Sequence, residues 1–186
     1  QLEDEVSRLV SYAASQNVRT ISLLATANDY GRRVESALRA EAQARGVTVV
    51  TVQLYNRTDA EAAAAARAVA QGQRPQGIII AENGAPLRAI GTALVQAGVD
   101  TRQTRLMGTS VWAGEAEREP SLAGGWYVSP DPGARVEFDS RYRAAFGEAP
   151  TRLSSLGYDA VALAALLSRD RGVDGISRSA IENREG

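Results

Sequence analysis

The chain has 186 residues, 44% of them apolar, with 21 basic against 22 acidic side chains and a net charge of −1. That is enough apolar material for one substantial core, or for one domain with part of another, and arginines scattered among acids exclude the basic footprint of a nucleic-acid binder. Every basic residue is arginine, and histidine, cysteine and lysine do not occur, which removes imidazole bases, thiolates, zinc–thiolate clusters and Schiff bases from the available chemistry. Carboxylates, hydroxyls, tyrosines and arginines remain, a set better suited to holding a ligand than to transforming it. No apolar run approaches the roughly 20 residues needed to span a bilayer, and Gln1 to Glu5 lack the charged-then-apolar pattern of a signal peptide. A chain without cysteine fits a reducing or an oxidising compartment equally.

Leu2, Val6, Leu9, Val10 and Ala13 recur at helical spacing, and Val18 to Ala25 reads as a strand. A helix opens at Tyr30, with Asn28 or Asp29 as its cap, and stops at Gly46. Val47 to Leu54 is the second strand. Thr58 and Glu61 have the spacing of a capping box for an alanine-rich helix ending near Gly72. Gly77 to Ala81 is a third strand whose isoleucine triplet implies burial on both faces. Asn83 or Gly84 starts a helix with Pro86 in its first turn, closed by Gly98 and followed by a fourth strand near Arg105 to Thr109.

Strands separated by helices of this length are parallel, and right-handed crossovers place helices on both faces. The predicted fold is therefore α/β, a doubly wound parallel sandwich. Ligands meet such a sheet at the carboxyl ends of its strands, which here means Thr26 to Gly31, Tyr55 and Asn56, Glu82 to Gly84, and Ser110 to Trp112. Past Trp112 the pattern changes. Gly124 to Val128 is a possible fifth strand, and Ser129-Pro130-Asp131-Pro132 breaks it before two further helices. One carries Phe138, Tyr142 and Phe146, the other Leu156, Ala160, Leu163 and Leu167.

The motifs argue against an enzyme. Gly108-Thr109-Ser110-Val111-Trp112 starts like a nucleophile elbow, but it has Trp where the second glycine belongs and no histidine exists to activate Ser110. The turn Ala25 to Gly31 matches no dinucleotide or Walker loop, so no cofactor is expected. Asp29, Glu82 and Asp131 lack the spacing of a metal loop and read as solvated caps, so no metal is expected either. Tyr30 either presents its ring and hydroxyl to the rim or packs down as a staple, and Trp112 is either an apolar wall for a ligand or a lid over the sheet edge. Asn28, Asn83 and Ser110 are rim donors or acceptors that also suit capping and turns. Tyr158 and Asp159 lie in an apolar helix and suit an interior or interface position.

Asn28-Asp29-Tyr30-Gly31 after a strand, Gly46, Thr58-Asp59, Pro75 to Ala81, Phe146-Gly147-Glu148-Ala149-Pro150 and Tyr158-Asp159-Ala160-Val161 together resemble the type I periplasmic binding proteins of the Leu/Ile/Val-binding family. Within it, Leu106 to Trp112, Gly124-Gly125-Trp126-Tyr127 and Pro130-Asp131-Pro132 are most similar to the penicillin-binding protein activator lipoproteins of alphaproteobacteria. The resemblance implies two α/β lobes joined by a hinge, with ligand in the cleft between them. Residues 1–128 would be the second lobe, 129–186 the hinge crossing, at Ser129 to Asp131, and helices of an incomplete first lobe. The chain would then be a fragment, exposing apolar surface that favours self-association.

By the same resemblance Tyr30 matches the aromatic ligand contact of the second lobe. Branched-chain amino-acid receptors carry a Tyr after the third strand and an acid after the fourth, where this chain has Asn83 and Ser110, with Glu82 as a neighbouring substitute. Losing that acid removes a charge-assisted bond to the ammonium of an amino acid. Two functions are implied: a periplasmic, lipid-anchored regulator that binds a penicillin-binding protein, or a receptor that delivers an amino acid or similar small polar solute to an ABC permease. The first predicts a cleft poor in convergent charge, and the second predicts Tyr30 and an acid aimed at one point.

Overall fold

The computed structural model describes residues 1–129 and 132–147. The chain divides into two compact units, Gln1–Ser129 and Pro130–Gly186. The first begins with α1 (Leu2–Ser15), which buries Val6, Leu9, Val10 and Ala13 along one stripe. The strand that follows starts later than its apolar run suggests. Gln16, Asn17 and Val18 turn their N–H groups back onto carbonyls of Tyr12, Ala13 and Ala14, and Asn17 takes the left-handed conformation at φ 63°. Val18 is thus used to close α1, and β1 runs Thr20–Thr26.

Helix α2 (Asp29–Arg45) is capped by Asn28, whose side-chain oxygen accepts the Gly31 N–H at 2.9 Å, and Gly46 ends it at φ 64°. Strand β2 (Thr48–Tyr55) leads to α3 (Asp59–Gln71). The capping box forms in one direction only. Thr58 accepts the Glu61 N–H at 3.2 Å, but the Glu61 carboxylate reaches past Thr58 to the backbone and side-chain N–H groups of Asn56. Strand β3 (Gly77–Ala81) is fully buried, as its isoleucines imply. Helix α4 (Gly84–Gln96) follows, then β4 (Arg105–Gly108). Strand β4 stops one residue early because Thr109 O accepts the Trp112 N–H to begin a 3₁₀ turn, Ser110–Trp112. After two more such turns comes β5, which is only Trp126–Tyr127.

All pairings are parallel, in the order β2-β1-β3-β4-β5. Successive strand residues point to opposite faces, so Ile21, Leu23 and Ile79 join the α1 and α2 side while Leu24, Ile78, Ile80 and Leu106 join the α3 and α4 side. Burying each such side chain contributes roughly 1.5–3 kcal/mol. In the second unit, α5 (Pro132–Phe146) places Tyr142 and Phe146 with ring centroids 4.6 Å apart. The segment carrying Leu156, Tyr158, Asp159, Ala160, Leu163 and Leu167, and the step Pro130-Asp131, lie outside the described residues.

Ser22 sits where the β1–β2 register shifts, fully buried, and its hydroxyl has no hydrogen-bond partner. Ser22→Ala removes an unsatisfied polar group from the core and should raise stability by about 1 kcal/mol in urea denaturation.

Candidate ligand-binding rim

Strand β1 is the pivot of the site. The chain leaves β1 for β2 through α2 on one face and returns to β3, on the other side of β1, through α3 on the opposite face. The loops after β1 and β3 therefore diverge, and a crevice opens between their carboxyl ends. A cavity of about 250 Å³ lies there, lined by Thr26, Asn28, Tyr30, Arg57, Ala81, Glu82, Asn83 and Val111.

Glu82 is the centre of this wall. It is 5% exposed, and a carboxylate so far from water requires donors. One oxygen accepts from the hydroxyls of Thr26 and, at 3.4 Å, Tyr55. The other accepts from Arg57 Nε at 3.0 Å and from the Asn83 N–H at 3.1 Å. The Arg57 guanidinium is further fixed by Nη2, which donates to Asn83 Oδ1 at 2.6 Å. Asn83 therefore leaves the amino end of α4 without a side-chain cap, and the Gly84 N–H is taken by Glu115.

A second cluster stands beyond Tyr30. The Tyr30 ring packs against the α1–α2 core while its hydroxyl shares a 2.6 Å hydrogen bond with Thr109. Ser110 does not point free into the rim: its N–H and Oγ donate to the Glu5 carboxylate at 2.9 and 2.8 Å. The first turn of α1 is thereby pinned to the loop after β4.

Of the two roles open to Trp112, an apolar wall for a ligand or a lid over the sheet edge, its burial fits the lid. Its ring is fully buried and its indole N–H donates to Ile80 O at 2.9 Å. The ring lies against Gly108, where a Cβ would collide with it, and close to Gly125, where a Cβ would meet the Leu122 carbonyl oxygen first. Of the expected rim residues, the structure gathers Asn28, Tyr30, Glu82 and Asn83 around one cavity and places Ser110 and Trp112 outside its lining. Arg57 and Glu5 were not anticipated. Arg57 does follow directly on the flagged Tyr55 and Asn56, which is a readable signal. Glu5 looks like any acid in a helix's first turn.

A family model for periplasmic binding proteins matches residues 1–179. The chain belongs to the periplasmic binding protein family. Solved structures similar to this periplasmic binding protein chain include an ABC transporter solute-binding protein of R. palustris in complex with benzoate (17% identity, TM-score 0.65, 94% of this chain and 49% of that one). Others are an ABC transporter substrate-binding protein of Desulfitobacterium hafniense in complex with Leu (22%, 0.60, 90% and 49%) and an extracellular ligand-binding receptor of Rhodopseudomonas palustris HaA2 (20%, 0.65, 87% and 48%). At these identities the likeness is one of fold, and the chain spans about half the length of each. No curated protein sequence matches it. Among the described residues no helix is long and apolar enough to cross a membrane, and no cluster of acids could hold a metal ion.

Two predictions concern the rim. Gly108→Ala drives a methyl group into the Trp112 ring and should cost about 1–3 kcal/mol in urea denaturation. Tyr30 and Tyr55 both hold their protons above the ordinary value of 10.0. Burial is the main cause in each. The charges of Glu5 and Glu82 add at Tyr30, and that of Glu82 at Tyr55, against the opposing effects of Thr109 and Arg57. Above pH 10 the folded chain keeps protons that the unfolded chain has lost, so stability is intact below that pH and falls as pH rises through the folded values. Urea midpoints from about pH 9 to 11 should show this fall, and Tyr55→Phe should make it shallower.

Proposed function

We propose that this chain is one lobe, residues 1–128, of a non-enzymatic extracytoplasmic binding protein, with 129–186 carrying the hinge crossing and helices of the other lobe, and that the protein regulates a penicillin-binding protein. The observation that carries this reading is the saturation of Glu82. The buried acid of the rim is held by Thr26, Tyr55, Arg57 and the Asn83 N–H, so it is not aimed at a ligand ammonium. A rim whose charge is neutralised internally suits a lobe that works through its surfaces. The similarity of Leu106 to Trp112 and Gly124 to Tyr127 to penicillin-binding protein activators supports the same partner and a lipid-anchored, periplasmic location. The absence of histidine, cysteine and lysine supports a binding rather than a catalytic role.

A second reading is a receptor that passes a small polar solute to an ABC permease. It is favoured by the cavity at the strand ends with Tyr30, Asn28 and Asn83 in its lining, and by similar folds that hold benzoate or Leu.

The two readings separate in one pair of measurements on the purified chain. Biolayer interferometry against a purified bifunctional penicillin-binding protein should give saturable binding that Tyr30→Ala leaves unchanged. Thermal shift with leucine should be flat, whereas a ligand at about 100 times its dissociation constant would add roughly 2.7 kcal/mol, several degrees in Tm. A leucine shift that Tyr30→Ala abolishes, with no synthase binding, would establish the receptor reading instead.

A further inference from the structure

At the amino ends of the strands, the edge opposite the rim, the first unit carries another concavity, of about 230 Å³. Four amides face it: Gln16 and Asn17 from the turn after α1, Gln76 before β3 and Gln103 before β4. The protein itself makes little use of them. The Asn17 and Gln103 side chains form no hydrogen bond within the described residues. Gln16 Nε2 has only a long contact of 3.5 Å to Ser15 Oγ, and Gln76 commits its oxygen alone, to the Arg19 N–H at 2.6 Å. The charges nearby disfavour an ion. Among the described residues no carboxylate lines the cavity, so a cation finds no free acid. Arg102 is matched by Asp100 at 3.1 Å. Arg105, the one unmatched charge, is held over Trp126, 4.7 Å from the ring centroid, and donates Nη1 to Gly124 O at 2.7 Å. Helix α1 ends at Gln16, so the negative end of its dipole borders the same space and opposes an anion.

What unpaired amides match is a hydroxyl, because each amide offers donor and acceptor side by side and an alcohol does the same. Gln76 and Gln103 also line a neighbouring cavity of about 180 Å³, whose other walls include Val69, Ala70, Pro75, Ile78 and Val99. The two glutamines thus stand between a polar space and an apolar one. Each space is below the roughly 300–1,000 Å³ of a pocket for a drug-sized ligand, which limits the occupant to one ring with a short substituent. We infer that this edge binds a neutral N-acylated sugar, with its ring hydroxyls on Asn17, Gln76 and Gln103 and its acyl methyl in the apolar cavity. The site lies at the opposite end of the strands from the rim, and it goes beyond the regulatory reading without depending on it.

The test is saturation-transfer NMR of N-acetylglucosamine with the full chain, with methyl glucoside, glucosamine and inorganic phosphate as comparison probes at mildly acidic pH and matched ionic strength. N-acetylglucosamine should bind in the millimolar range, methyl glucoside several-fold more weakly, and the cation and the anion not at all. Asn17→Gly keeps the left-handed turn at φ 63°, which glycine adopts freely, and Gln103→Ala changes an exposed side chain. The double variant N17G/Q103A should therefore keep its circular dichroism and weaken N-acetylglucosamine by about tenfold or more. Arg39→Gln, at an exposed pair on α2, should have no effect. Binding that N17G/Q103A leaves unchanged would overturn the assignment, as would equal binding of methyl glucoside, a preference for glucosamine or phosphate, or no binding of N-acetylglucosamine up to about 50 mM. The two readings fail separately: absence of synthase binding leaves this inference untouched, and absence of sugar binding leaves the regulatory one.

Discussion

The rim is organised around one carboxylate that is nearly out of water and must find its donors within the protein. Glu82 stands at the end of the most buried strand, and the desolvation penalty of an ionised carboxylate there is several kcal/mol unless donors replace the lost water. Its four donors come from the end of β1, the end of β2, the loop after β2, and its own neighbour at the start of α4. Meeting that requirement fixes the ends of three adjacent strands relative to one another, and it positions Arg57 and Asn83 as a by-product. The cavity beside Glu82 inherits its shape from this arrangement.

A second tether works at the other end of the same edge. Tyr30 reaches Thr109, and Ser110 holds Glu5, so α1, α2 and the loop after β4 are joined by three short hydrogen bonds. Just below them Trp112 fills the space that Gly108 and Gly125 leave, and its indole N–H satisfies a carbonyl of β3. The aromatic residue nearest the rim in sequence thus stiffens the floor, while Tyr30 provides the aromatic surface at the cavity. Both clusters tie neighbouring elements together along this edge through side-chain hydrogen bonds.

In a chain without histidine, lysine or cysteine, the polar groups of the rim are arginine, carboxylate, amide and hydroxyl. The charges at the rim are paired internally, Glu82 with Arg57.

Much of the fold was legible because it is local. The spacing of Val6, Leu9, Val10 and Ala13, the caps at Asn28 and Thr58, the stops at Gly46 and Gly98 and the run Ile78 to Ile80 each declare an element from its own residues. Alternation of helix and strand then requires a parallel, doubly wound sheet, and with it a rim at the strands' carboxyl ends. Element edges were less legible where a residue serves two neighbours, as Val18 does in closing α1 before β1. What only the tertiary structure decided is which rim groups remain open. Thr26 meets Glu82 across 56 residues and Ser110 meets Glu5 across 105. Those meetings follow from the order β2-β1-β3-β4-β5, which no local periodicity encodes. The sequence determined that acids, amides and a tyrosine would share one edge; the strand order decided that Glu82 would be consumed, Trp112 buried and Arg57 left with one side facing the cavity.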